Sequence, residues 1–197
     1  MSVWELFRLG GVFMWPLLVF FIVLLYKIIE RTVTFCLTDM RTDMDYIRQN
    51  VITGTISAEH NNRFYHILAD NLRMFPNDRE SFDRYVGTEC QQLADNLRSG
   101  LSLIAWIAAI APVTGFLGTV TGMISVFRSI NNASDVSAQL VAGGIYEALI
   151  TTAAGLIISI IASAAYFILS GIVSRYCRRM EYAANSVMKS VYDNKTK

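Results

Sequence analysis

Apolar residues are concentrated in three blocks along this chain, and the intervals between them carry nearly all of the charge. The blocks cover residues 11–29, about 101–127 and about 138–173. A membrane-spanning helix needs ~20 predominantly apolar residues, and each block is close to that length or beyond it. The pattern therefore predicts an all-α membrane protein with three transmembrane helices.

The first block does not have the features of a cleavable signal sequence. The segment before it carries Glu5 and Arg8 rather than a net positive charge, and no small-residue cleavage site follows it. Lys27 lies near the far end, where its long side chain can extend toward lipid headgroups. We expect residues 1–30 to form a short N-terminal segment and an uncleaved first transmembrane helix.

The polar interval at residues 31–100 has apolar residues at helical spacing, as at Phe64, Ile67, Leu68 and Leu72. Asn77 followed by Glu80 resembles a capping box, which would open a helix that runs into the next span. We expect a helical cytoplasmic domain that extends the transmembrane helices beyond the bilayer.

Lysine and arginine are distributed unevenly between the two sides of the predicted spans. Seven arginines fall between Arg41 and Arg98 and six basic residues follow Ser174, whereas the N-terminus and the connector hold one each, Arg8 and Arg128. Cytoplasmic loops carry the excess of positive charge, so the N-terminus is expected outside. The predicted divisions are 1–30 for the first span, 31–100 for the cytoplasmic domain, 101–127 for the second span, 128–137 for a periplasmic connector, 138–173 for the third span and 174–197 for a basic cytoplasmic tail.

Composition narrows the class of function. The chain is 53% hydrophobic and 17% charged, with a formal net charge of +1, so it lacks the basic footprint of a nucleic-acid-binding protein. Its three cysteines, Cys36, Cys90 and Cys177, have no metal-ligand spacing and are expected as free thiols. There is no catalytic triad, phosphate-binding loop or zinc spacing, so we expect no enzyme activity, no cofactor and no metal.

Glu147 is the most informative single residue. Between Ser99 and Ser174 the charged residues are Arg128, Asp135 and Glu147, and the first two lie in or beside the polar connector. A carboxyl group inside an apolar span is costly unless it faces a partner or water, so its default interpretation is functional. The alternative is a carboxylate that extends to the outer interface.

The second block places small residues on one face of a helix: Ala108, Ala111, Gly115, Gly118, Thr119 and Gly122. Such a face allows close helix packing. It also fits a narrow water path in which the Thr119 hydroxyl orients water. Both interpretations remain open, and a pore built from several copies needs both.

The third block carries a stripe of hydroxyl groups at Thr152, Ser159, Ser163 and Ser170. The stripe indicates either a polar lumen or a seam between helices. Glu147 is about 140° from Thr152 on an ideal helix, so both cannot face one lumen squarely.

Two motifs in this region resemble those of a known family. Residues 115–123, GFLGTVTGM, are similar to the GLLGTVxGM signature of the MotA/TolQ/ExbB proton-channel family, and residues 144–156 resemble its GIxEAL…TAxGL signature. The N-terminal residues 10–31 are similar to the opening of short ExbB-type members. Many members have a proline in the third span where this chain reads Ile160-Ile161-Ala162, so a kink there should be weaker.

The resemblance implies a homo-oligomeric, pentameric ring around a central pore in a bacterial inner membrane. It implies single-span partners of the ExbD/TolR kind, each with a transmembrane aspartate, and a TonB- or TolA-like protein. The family's polar pore residues match Thr119, Glu147 and Thr152 here, and we add Ser159 and Ser163 to the expected proton pathway. Close packing is expected at Gly115, Gly118, Gly122 and Gly155.

The main hypothesis is a proton-channel subunit of a motor that uses the proton motive force to energise TonB-dependent or Tol-type outer-membrane processes. A non-conducting oligomeric scaffold is the alternative from a different class, and in it Glu147 would only fix helix register. A small-ion channel that works without a partner is a third hypothesis.

Overall fold

A computed structural model describes residues 10–37, 49, 63–75, 78–132 and 138–192, and the regular structure in these ranges is α-helical. Five helices are defined: α1 Met14–Leu37, α2 Arg63–Met74, α3 Arg79–Arg98, α4 Leu101–Asn132 and α5 Ala138–Tyr192. The all-α prediction is therefore confirmed for the described part of the chain.

Two helices are long and apolar enough to cross a membrane, by length and composition. They are the stretches Leu101–Asn131 of α4 and Val141–Val191 of α5. These correspond to the second and third predicted spans. Helix α1 covers the first predicted span but carries Lys27, Glu30 and Arg31 in its second half, so this span stays a prediction.

The helices form two compact units, one from the described residues within 1–30 and 101–167, and the other from those within 31–100 and 168–197. Helices α1 and α5 each contribute to both units. In the first unit, Nζ of Lys27 lies 2.6 Å from Oε2 of Glu30 one turn later, and the extension of Lys27 toward lipid headgroups stays a prediction.

In the first unit, α4 and α5 pack antiparallel through their small residues. A Cβ added at Gly155 would lie 2.6 Å from the Ala111 carbonyl oxygen and 3.1 Å from Cα of Gly115. A Cβ at Gly122 would lie 3.0 Å from that of Ala148. These distances leave no room for larger side chains, so glycine sets how closely the two backbones approach.

Large apolar side chains cover the outward surface of this unit in the single chain. On α4 they include Trp106, Val113 and Phe116, and on α5 Ile157 and Ile160, each more than half exposed. An apolar surface of this extent is typical of contact with lipid or with further subunits. Helix α5 runs without a break through residues 160–162.

In the second unit, α2 packs against α3. Phe64, Ile67 and Leu68 of α2 are buried and Leu72 is half-buried, which confirms the helical spacing predicted from the sequence. The second half of α5 buries an apolar stripe whose members alternate four and three residues apart, the spacing of a coiled-coil seam: Leu169, Val173, Tyr176, Met180, Ala183 and Val187.

The start of α3 differs from the prediction. Its N-cap is Asp78, whose carboxylate accepts hydrogen bonds from the Ser81 backbone N–H at 3.1 Å and from the Ser81 hydroxyl at 2.6 Å. Asn77, the predicted cap, lies outside the described residues. Aspartate serves as a cap as well as asparagine does, and Ser81 stands at the position that its carboxylate reaches.

The end of α3 also differs. The predicted helix was to run into the second span, but α3 ends at Arg98, and Ser99 caps it by donating its N–H to the Asp95 carbonyl oxygen at 2.8 Å. Residues 99–100 form a turn before α4 begins at Leu101. Helix α4 extends to Asn132, into the predicted connector, and residues 133–137 of that connector lie outside the described residues.

Candidate functional site

The carboxylate of Glu147 projects from α5 into a cavity of about 390 Å³ in the first unit. The wall is built by α4, α5 and the short segment that precedes α1. It consists of glycine, hydroxyl-bearing and apolar residues, and Glu147 is the one charged residue among the described residues that line it: Gly10, Val12, Phe13, Gly118, Thr121, Gly122, Ser125, Val126, Ser129, Gly144, Glu147 and Thr151.

The turn before α1 lies directly against the Glu147 carboxylate. Gly11 has a positive φ of 64°, a conformation that L side chains rarely adopt. A Cβ at this position would collide with Oε1 of Glu147 and lie 3.1 Å from its Cδ. Glycine at position 11 therefore satisfies two demands, the turn itself and the close approach of the carboxylate.

On the opposite wall, α4 presents hydroxyl groups to the cavity. Thr121, Ser125 and Ser129 recur every four residues and so share one face of the helix. Thr121 Oγ1 donates to the carbonyl oxygens of Leu117 at 3.0 Å and Gly118 at 3.1 Å. Because serine and threonine can satisfy their donor on their own helix, they are tolerated in an apolar span.

Thr151 of α5 also lines the cavity. It is 2% exposed, and its hydroxyl donates to the Ala148 carbonyl oxygen at 2.7 Å. A Cβ at Gly118 would lie 2.5 Å from Thr151 Oγ1, so the absence of a side chain at residue 118 makes room for this hydroxyl.

The other predicted pathway residues lie elsewhere in the structure. Thr152 Oγ1 donates to the Gly115 carbonyl oxygen at 3.0 Å, and Ser159 Oγ donates to the Ala108 carbonyl oxygen at 2.7 Å. Thr119 Oγ1 donates to the Phe116 carbonyl oxygen at 2.7 Å on its own helix, and Ser163 is half-buried. Glu147 alone of the five predicted pathway residues lines the cavity.

Glu147 and Thr152 point in different directions from α5, as expected from their separation of about 140° on an ideal helix. Within one chain, Glu147 lines the cavity, whereas the Thr152 hydroxyl donates across the seam to α4. Within a single chain, two members of the hydroxyl stripe are thus used in the seam between helices, one of the two interpretations left open above.

Five residues around Glu147 were not predicted as parts of the site: Gly11, Thr121, Ser125, Ser129 and Thr151. The three hydroxyl residues of α4 are spaced four residues apart, and this spacing could have indicated a polar face on that helix. The role of Gly11 depends on a contact between the two ends of the sequence, and no local pattern reveals it.

Comparison with known proteins places this geometry in a family context. The model of the MotA/TolQ/ExbB proton channel family matches residues 57–182, which include Glu147 and most of the cavity lining. This chain belongs to the MotA/TolQ/ExbB proton channel family. Family membership, together with two helices able to cross a bilayer, shows that it is a membrane protein.

Several individual MotA/TolQ/ExbB-type proteins are similar to this chain. Biopolymer transport protein ExbB-like 1 of Synechocystis sp. is 31% identical over 94% of this chain and 77% of its own length. The biopolymer transport protein exbB1 of Vibrio cholerae is 32% identical over 56% of this chain, and the match spans 49% of that protein. The Tol-Pal system protein TolQ of Haemophilus influenzae is 40% identical over 36% of this chain and 32% of its own length.

Proposed function

We propose that this chain is the proton-conducting subunit of an inner-membrane motor. In this proposal Glu147 is the residue that takes up and releases the proton. The observation that carries it is the position of the carboxylate, which stands in an apolar span and faces a cavity lined by hydroxyl groups. A carboxyl group is kept in such a place only at a cost in stability, and proton relays are a common reason for it.

The topology proposed for this function has three spans, with the N-terminus outside and the C-terminus inside. It is supported by the apolar first half of α1, by the candidate spans in α4 and α5 and by the bias of lysine and arginine toward residues 31–100 and the tail. The exposed apolar faces of α4 and α5 favour assembly of several copies into a ring, with a pentamer as the copy number implied by the family resemblance.

The proposed partners are those implied by the family resemblance, and the chemistry of the spans supports them. Besides Glu147, the described residues of the two spans predicted at 101–127 and 138–173 include no second acid for a relay. A single-span protein of the ExbD/TolR kind would supply a transmembrane aspartate, and a TonB- or TolA-like protein would receive the motion. Biopolymer transport proteins and a Tol-Pal system protein among the relatives support an outer-membrane process as the output.

In the proposed pathway a proton enters from the outer face, reaches Glu147, passes to the partner aspartate and leaves past the hydroxyl groups of Thr152 and Thr119. Ser159 and Ser163 lie further along α5 on the same stripe. One proton crossing is worth ~2.3 kcal/mol per 100 mV, which is enough to bias a rotation between ring and partner. The oxygens of Thr152 and Ser159 keep acceptor lone pairs even while they donate across the seam.

The test is proton flux into liposomes that contain the complex with its partner. Glu147→Gln keeps the size of the side chain and removes its titration, so partner-dependent flux should fall to background. Glu181→Gln is the matched control, because Glu181 lies exposed on the same helix outside the cavity, and its flux should stay normal. Undiminished flux in Glu147→Gln would remove the proposed role.

A second function is favoured by one observation, the use of the Thr152 and Ser159 hydroxyls in the seam between α4 and α5. These bonds fit an oligomeric scaffold that conducts nothing. The same liposome measurement separates the two: a scaffold gives assembled complex with the partner but no flux above background in the unaltered protein.

A further inference from the structure

Three of the hydroxyl groups that line the cavity around Glu147 donate hydrogen bonds to backbone carbonyl oxygens. Thr121 donates to two backbone carbonyl oxygens of α4, Ser129 donates to the Ser125 carbonyl oxygen at 3.0 Å, and Thr151 donates to that of Ala148. A hydroxyl group has one proton and two lone pairs. Each of these oxygens therefore faces its surroundings as a hydrogen-bond acceptor.

The charged group of the cavity is negative when ionised, like the partial charge on these acceptor oxygens. Glu147 is the one titratable side chain among the described lining residues, and those contributed by α4 and by the turn before α1 are uncharged. Arg128 is the neighbouring charge on α4; it is exposed and does not line the cavity. A carboxylate surrounded by acceptor oxygens attracts cations and the hydrogens of water, and it disfavours anions.

The size of the cavity indicates that the ion would keep water. A cavity needs a volume of at least ~10–15 Å³ to hold one water molecule, and the volume here is about 390 Å³. Thr121 is half-buried and Ser125 and Ser129 are exposed, so this side of the cavity is accessible from outside the chain.

Gly11 fixes the remaining wall. Since Oε1 of Glu147 lies against the backbone of Gly11, the turn before α1 limits where the carboxylate can move. Gly143, one turn before Glu147 on α5, is a natural comparison, because a Cβ there would meet nothing within 4 Å.

We propose that the cavity is an entry vestibule inside each subunit, where a hydrated monovalent cation, H₃O⁺ or Na⁺, gathers on the acceptor oxygens of α4 before it reaches Glu147. The outer part of the pathway then lies between α4 and α5 of one chain rather than in a lumen shared by the ring. With H₃O⁺ the proton passes to the carboxylate and water remains; with Na⁺ the ion pairs with the carboxylate and no bond is broken. The inference rests on the proposed role of Glu147, and Gly11 acts in it as a positioning residue.

The experiment measures ion flux through the complex with its partner in liposomes, as a function of outside ion concentration. Thr121→Val combined with Ser129→Ala removes two acceptors at little change in volume. The concentration for half-maximal flux should rise about two- to tenfold, the factor that corresponds to a lost hydrogen bond, while the maximal rate changes less. Two gradients applied in turn identify the ion: first a proton gradient without a sodium gradient, and then a sodium gradient with the same pH on both sides.

A second measurement keeps the inference falsifiable if the double variant assembles poorly. Dicyclohexylcarbodiimide adds to a protonated carboxyl group, and mass spectrometry of the peptide around residue 147 reports the extent of the reaction as the pH changes. Gly11→Ala should shift the pH at which half of Glu147 is modified, and Gly143→Ala should leave it in place. The inference is overturned if neither the half-saturating concentration nor this pH moves while Glu147→Gln still abolishes flux. If Glu147→Gln conducts normally, the proposed function fails first.

Discussion

The hydroxyl of Thr152 on α5 donates a 3.0 Å hydrogen bond to the carbonyl oxygen of Gly115 on α4. Two helical turns further along, Ser159 repeats the contact with the Ala108 carbonyl oxygen at 2.7 Å. Glycine at residue 115 leaves its carbonyl group open to a neighbouring helix, since it has no side chain to cover it. The two bonds fix the register of the antiparallel pair that holds Glu147.

Removing the hydrogen bond from Thr152 to Gly115 should destabilise the packing of α4 against α5. Thr152→Val keeps the shape of the side chain and loses the hydroxyl, and we expect it to lower the free energy of unfolding by about 0.5–2 kcal/mol. Unfolding of the detergent-solubilised complex measures this. Thr152→Ser restores the donor and should recover most of the loss; a valine variant as stable as the original protein would contradict the assignment.

Glycine at residue 155 should tolerate no side chain. In Gly155→Ala the new methyl group would lie 2.6 Å from the Ala111 carbonyl oxygen, so the backbones must separate. Overpacking of this kind costs about 1–3 kcal/mol. Gly171→Ala is the matched control on the same helix, because its methyl meets nothing within 4 Å, and it should stabilise α5 by up to about 1 kcal/mol through helix propensity. Equal melting temperatures for the two variants would show that the seam is not tightly packed.

Cys90 should be a slow nucleophile. Burial, reinforced by the negative charge of Glu89, raises the pKa of this thiol from 9.0 to about 12. The reactive species is the thiolate, so iodoacetamide at pH 8 should label Cys90 in the folded protein about tenfold or more slowly than in the unfolded chain. The labelling rate of the exposed Cys36 is the comparison, measured in a variant in which Cys90 and Cys177 are replaced.

The same shift has a consequence for stability at high pH. The unfolded chain releases the Cys90 proton near pH 9.0, whereas the folded chain holds it until about pH 12. The contribution of this thiol is therefore intact below pH 9.0 and is lost as the pH rises from there toward 12. Cys90→Ala should flatten this part of the stability profile, and an unchanged profile would contradict the burial of the thiol.

The N-cap of α3 should depend on pH in the opposite direction. Hydrogen bonds from the Ser81 hydroxyl and backbone N–H lower the pKa of Asp78 below its ordinary value of 3.8. Their stabilising effect is present above pH 3.8 and is lost as the pH falls through the lowered pKa. Asp78→Ala should reduce the melting temperature at neutral pH and matter less in acid, as followed by circular dichroism, and Asp78→Asn should retain the cap. If Asp78→Ala lowered the melting temperature as much in acid as at neutral pH, the predicted role of the ionised carboxylate in the cap would be contradicted.

The helices and their apolar faces could be predicted from this sequence because their signals are local. The spacing of Phe64, Ile67 and Leu68 depends on helical periodicity, and the long apolar blocks are recognised by length and composition. The cap at Asp78 was missed because several neighbouring residues can serve as caps and one backbone angle decides among them.

The site was predictable only in its central residue. Glu147 stands out because a charge in an apolar span is unusual, and that signal needs no structure. The walls of its cavity depend on contacts between distant parts of the chain. Gly11 meets Glu147, and Gly118 leaves room for Thr151, and the sequence contains no periodic pattern that joins either pair.

The most direct test of the account is infrared difference spectroscopy of the membrane-embedded complex with its partner, recorded while the pH is changed. We expect a carboxyl C=O band that appears on acidification, shifts in deuterium oxide and disappears in Glu147→Gln but not in Glu181→Gln. A pH-dependent spectrum that is the same with and without the Glu147 carboxyl group would contradict the claim that this residue carries the proton.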